Sequence, residues 1–148
     1  MNKLDVLQRA NGRSIIPESM VEDYREYHFS PGFETGGFLF ISGQIGLDAT
    51  GEVPEDPAEQ ARCAFERMRS VLAAAGLGFE DIASITSHHV GEVSEIFEWF
   101  PMVKDSYLAA PYPAWTALGV SGLAIPGVII EISAVARTRN KENEKSRT

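Results

Sequence analysis

Residues 128–136 read VIIEISAVA, a run apolar enough for a strand in the middle of a sheet, with one carboxylate, Glu131, at its centre. A lone charge inside such a strand is costly unless it is paired, hydrogen-bonded or protonated. Strand alternation sorts the run into two faces. Glu131 falls with Ile129, Ser133 and Val135, while Ile130, Ile132 and Ala134 take the other side.

Working outward, residues 115–120 form a second strand, joined to the first by a loop around residues 122–127. The PYP triplet at 111–113 ends a helix that Ser94 could cap, with Phe97, Phe100, Val103, Tyr107 and Leu108 turned inward. Pro101 either kinks that helix or marks its true first turn. Residues 81–90, DIASITSHHV, are β-rich. The clearest helix precedes them. Asp56 is placed as N-cap, Pro57 suits the first turn, and Glu59 completes a capping-box pattern. Ala61, Ala64, Phe65, Met68, Val71, Leu72 and Ala75 recur at helical spacing, and Gly76 fits the stop. Residues 38–46, FLFISGQIG, read as a strand entered through a Gly36-Gly37 turn and followed by a turn at DATG, 48–51. Residues 24–33 are expected to hold a short strand before a turn at Pro31-Gly32. Residues 1–20 are expected to be a loosely ordered lead-in with a short strand near 14–16. Strand, strand, helix, strand, helix, strand, strand suggests an α/β or α+β sandwich, taken as α+β with one mixed sheet and two helices packed on one face. The other face needs a cover, and an oligomer is the simplest one.

Composition agrees with one ordinary domain over residues 1–136, since 44% of the 148 residues are apolar. Residues 137–148, RTRNKENEKSRT, hold no apolar residue and read as a disordered polar tail. No run is long enough for a membrane span and the N-terminus lacks a secretory apolar segment, so a cytoplasmic protein is expected. A single cysteine leaves no disulfide framework and no cysteine-based zinc site. The net charge is −8 although the tail is basic, so the body is more acidic still and repels phosphate backbones; no nucleic-acid partner is expected.

Three pieces carry a resemblance: ISGQI (41–45) with the TGEV turn (50–53), the helix with Gln60 and its AAAGL ending (73–77), and Pro113-Ala114 followed by Val128, Glu131, Ile132 and Ala134. In this order and spacing the chain, over roughly residues 28–137, resembles the Rid (reactive intermediate deaminase) family, also described as YjgF-like or L-PSP endoribonuclease-like. The resemblance implies a chorismate-mutase-like fold and a homotrimer whose subunit clefts bind small carbonyl, enamine or imine molecules. It implies that Glu131 holds or activates a water that attacks an imine, and that Ser42 and Gly43 line the cleft. It implies no metal or organic cofactor. Four positions depart from the family pattern. Trp115 stands where deaminating members place an arginine that grips the substrate carboxylate, Phe29 replaces a tyrosine, Lys104 an asparagine and Ala117 a cysteine. Arginine is hard to replace as a two-pronged carboxylate partner, so Trp115 points to a more apolar or aromatic ligand.

Each candidate has a plainer reading. Glu131 could be a structural acceptor at an interface, Trp115 ordinary packing, and Lys104 a solvated lysine or a substitute cation. His88 and His89 point to opposite faces, so they cannot share a metal, though one could shuttle protons in the cleft. Cys63 lacks a base, and Ser42 lacks the surroundings of a nucleophile elbow. The sequence therefore supports hydrolytic deamination of a C=N group by a Rid-like homotrimer, with a non-catalytic ligand-binding or regulatory trimer as the alternative. An endoribonuclease is disfavoured by the acidic body.

Overall fold

The structure, a computed structural model, describes residues 6–139. In chain order its elements are β1 (Val6–Arg9), β2 (Gly12–Ile15), α1 (Val21–Tyr27), β3 (Gly32–Thr35), β4 (Phe38–Ile45), α2 (Pro57–Ala74), β5 (Ile82–Val90), α3 (Phe100–Asp105), β6 (Ala114–Val120) and β7 (Ile130–Arg137). They build one seven-stranded mixed sheet in the order β1-β2-β3-β4-β7-β5-β6. Only β5 and β6 run parallel, across the connection that contains α3. The expected α+β architecture is present.

One face of the sheet makes the core. Ala61, Ala64, Phe65, Met68, Val71 and Leu72 of α2 are fully buried with Leu39, Ile41, Ile130, Ile132 and Ala136 from the central strands. Stacking extends this layer to the second helix, where the Phe65 ring lies 4.7 Å from Tyr107 and 6.3 Å from Phe100. The stop of α2 is a Schellman turn. Gly76, at φ +72°, donates to Ala73 O and Leu77 donates to Leu72 O. Asp56 does occupy the N-cap, but it makes no side-chain cap bond, and Glu59 pairs with Arg62 at 3.0 Å instead of closing a capping box.

Other expectations are corrected. The lead-in from Val6 onward is no loose segment. β1 and β2 pair as a hairpin and continue onto β3, because Ile15, Ile16 and Met20 supply buried apolar anchors. Part of residues 24–33 is helix, since Tyr24 and Tyr27 stand at helical rather than alternate spacing; α1 closes at His28 in the left-handed region, φ 57°. Phe97 is 58% exposed, because residues Val93–Glu98 form a 3-10 segment that breaks the helical spacing before Pro101 opens α3. The first tail residues are also tied down. Arg137 ends β7, and Arg139 pairs with Asp81 and Glu80 at 2.7 Å. The rest of the tail lies outside the described residues.

Candidate functional site

Glu131 sits on the outer face of β7, between Ile45 of β4 and His88 of β5 in register. Its place depends on a bulge in β4. Pairing with β7 runs Ile41 to Ala134, then resumes at Gln44 to Ile132, so one residue is added around Ser42-Gly43. The bulge is pinned from both sides. Ser42 donates through its backbone N–H to Pro31 O at 2.9 Å and through Oγ to Ser30 O at 2.7 Å, while buried Gln44 donates to Ser42 O at 2.9 Å. Gly43 then passes directly beneath the carboxylate. A Cβ there would fall within 2.7 Å of Glu131 Cγ and closer still to the carboxylate oxygens. The missing side chain is what makes room for Glu131.

Beyond the end of β3 this arrangement opens into a cavity of about 370 Å³. Glu131, Gly43 and Phe29, three of the residues expected in the site, line it together. Ser42 stands next to the lining, its hydroxyl occupied by Ser30. Sequence reasoning missed Asp23 and Tyr27 of α1, Arg67 of α2, and Leu47 and Ile125 from loops. Arg67 Nη2 pairs with Asp23 at 3.1 Å, and Arg67 Nε is buried with no hydrogen-bond partner among the described residues. A signal was available, since Arg67 lies between Ala64 and Met68 beside the apolar stripe of α2, where a long cation must find an anion.

Trp115 and Lys104 form a separate cluster. Trp115 is in register with core-facing Ile85, and its ring packs 5.8 Å from Phe100, so within one protomer it lies on the helix-covered face, away from Glu131. Lys104 is nearly buried, with Nζ 5.1 Å from the centre of the Trp115 ring, 5.5 Å from that of Tyr112 and 2.8 Å from Asp105. Beneath them Trp115 Nε1 donates to the hydroxyl of fully buried Ser87 at 2.9 Å. The same hydroxyl lies 2.8 Å from His89 Nε2, and the imidazole tautomer decides which of the two donates. Burial, with His88 contributing, lowers the His89 pKa to about 4, so this imidazole is neutral. The two histidines do point to opposite faces: His89 is in the core and His88 stands across from Glu131. Burial and the neighbouring Glu59 push the Cys63 thiol up, away from the reactive thiolate.

Residues 23–138 match the family described as Endoribonuclease L-PSP. The chain belongs to that family. This is the Rid or YjgF-like family that the sequence motifs resemble. Within it, the RutC family protein YjgH of Escherichia coli strain K12 is 36% identical to this L-PSP family chain, over 84% of the chain and 93% of the relative. The 2-iminobutanoate/2-iminopropanoate deaminase of the same strain is 35% identical, over 73% of this chain and 85% of its own length. The solved structure of protein YJGH superposes with a TM-score of 0.78 at 36% identity, covering 89% of this chain and all of that one. Among the described residues no helix of this L-PSP family chain is long and apolar enough to cross a membrane.

Proposed function

We propose that this chain is a homotrimeric hydrolase of small imines, with Glu131 as the residue that holds and activates water. The observation that carries the reading is the Glu131 carboxylate set over Gly43 in a cavity lined mainly by apolar side chains. A carboxylate there can take a proton from water as the oxygen adds to the C=N carbon, then return it to the nitrogen that leaves as ammonia. The deaminase name of one relative, an enzyme of 2-imino acids, supports the reaction class. No metal or organic cofactor enters this scheme; water is the co-substrate.

Glu131→Gln tests it. Ammonia release from imines generated in the assay falls by about 100-fold or more, the usual scale for losing a general base. Gly43→Ala leaves the carboxylate chemically intact but displaces it, and produces a comparable loss. Full turnover in both variants rejects the assignment. One observation favours the alternative of a non-catalytic ligand-binding trimer. Trp115 and Lys104 are held by Ser87 and Asp105, so neither supplies the carboxylate grip within the protomer. Ligand binding that Gly43→Ala abolishes, with no turnover by the parent protein, would establish that alternative.

A further inference from the structure

The cavity beside Glu131 carries a charge pattern that selects among imines. Three of its lining side chains are of acidic or basic type: Glu131, Asp23 and Arg67. Arg67 and Asp23 meet through one Nη2–Oδ2 contact at 3.1 Å, with side chains 23% and 35% exposed, so their charges offset each other although Arg67 Nε keeps no partner among the described residues. Glu131 has no ion-pair or hydrogen-bond partner among the described residues. His88, its neighbour across the strand, is not part of the lining. Most of the remaining wall is apolar: Met20, Phe29, Ile45, Leu47 and Ile125. An unpartnered carboxylate in an apolar enclosure favours a positive charge and disfavours a negative one. A 2-imino acid would bring its own carboxylate against Glu131 and meet a guanidinium whose charge Asp23 already offsets.

We infer that the substrate is a cationic iminium ion on a short apolar chain, without a carboxylate. This rests on the reading that the Glu131 cavity is the reaction site. Water adds its oxygen to the iminium carbon and passes a proton to Glu131, which breaks the carbon–nitrogen π bond. The carbinolamine nitrogen takes that proton, ammonia leaves with the carbon–nitrogen bonding pair, and the hydroxyl proton goes to the departing ammonia. An aldehyde or ketone and ammonium result from iminium and water, with no change of oxidation state.

Two imines with the same side chain test the inference. 3-Methylbutylamine with an amine oxidase supplies the iminium without a carboxylate, and leucine with an amino-acid oxidase supplies its 2-imino acid counterpart. Stopped-flow decay of each imine is followed with and without the protein. Acceleration of the amine-derived imine exceeds that of the leucine-derived one by at least tenfold. Asp23→Asn, which frees Arg67, moves that ratio toward the 2-imino acid by tenfold or more, and adding Arg67→Met restores the parental preference. Thermal melts establish that the variants are folded, and calorimetric titration with 3-methylbutylammonium against 4-methylpentanoate reads the same preference without turnover. Preference for the carboxylate compound in the parent protein, or a ratio unmoved by Asp23→Asn, overturns the inference. If Glu131→Gln still abolishes activity in that event, the site stands and only the charge selection falls. If Glu131→Gln changes nothing, or neither imine is accelerated, the cavity is rejected as a reaction site and the inference with it.

Discussion

His89 shows how one buried side chain sets a property of the whole chain. Its imidazole is sealed beneath α3, edge-on to Phe100 at 5.0 Å, and takes its one polar contact from Ser87. Burial lowers its pKa from 6.5 to about 4, so the unfolded chain binds the proton first as pH falls. The stability that His89 contributes is therefore complete above about pH 6.5, declines as pH falls from there toward 4, and is gone below both values. Between pH 6.5 and 5 the loss is about 2 kcal/mol. Urea unfolding at a series of pH values checks this, because His89→Gln flattens that part of the profile while the carboxylates titrate as before. An unchanged slope in the variant would show that His89 is not the linked group. At this scale the sequence was informative where one residue contradicts its surroundings. Glu131 stood out because a carboxylate interrupts an apolar strand, and the opposed faces of His88 and His89 followed from alternation alone. The place of Arg67 beside the apolar stripe of α2 was a local signal that it needs an anion, but Asp23 lies 44 residues away and nothing in the sequence names it as that anion. The Ser87–His89–Trp115 chain was hidden, since a hydroxyl two residues before a histidine gives no sign of an indole arriving from β6.

Among the elements, α2 and β4 do most to position the cavity. Gln60, on the first turn of α2 and 2% exposed, joins three separate segments. Its amide donates to Pro54 O at 2.8 Å and to Gly127 O at 2.9 Å, and its carbonyl accepts from Ile129 N–H at 2.9 Å. The loop that brings Ile125 to the cavity is thus tied to the helix just before β7 begins. Gln60→Leu keeps the bulk but leaves three backbone groups without partners, and the expected cost is about 3 kcal/mol or more. Chemical denaturation measures that loss, and amide exchange faster at residues 124–129 than elsewhere localises it to the loop. A loss spread evenly over the sheet would show that Gln60 stabilises only the core. The helix itself was legible from its apolar spacing and its glycine stop. The β3–β4 hairpin was legible from Gly36-Gly37, both at positive φ in a two-residue turn between Thr35 and Phe38. The bulge in β4 was not, because adding a residue leaves the run FLFISGQIG looking like an unbroken strand. α1 was misread because two tyrosines and four charged residues give a weak periodic signal, and the element has no buried residue of its own.

At the scale of the molecule, the decisive fact is that α2 and α3 cover only one face of the sheet. The other face carries Phe38 at 43% exposure, Phe40 at 48% and Leu118 at 45%, with Phe33 and Val135 flanking Phe40 in register. Phe33, Phe38, Phe40 and Val135 group on neighbouring strands, with Leu118 apart on β6, and an apolar group of this kind marks an interaction surface. The need for a cover could be read from the order of elements, whereas the exposed side chains could be identified only once register was known. In the proposed homotrimer this face is buried between subunits, and it is the face on which Glu131 lies. Light scattering on the eluting protein is expected to give roughly three times the 16.2 kDa of one chain. Phe40→Asp puts a charge at the centre of the apolar group without disturbing the core, since Leu39 and Ile41 supply the buried contacts of β4. The variant therefore elutes as a single folded chain, with circular dichroism unchanged, and loses imine turnover because the cleft between subunits is gone. A Phe40→Asp protein that keeps its mass would show that subunits meet through another surface. One that becomes monomeric yet stays fully active would show that the Glu131 cavity is complete within a single protomer.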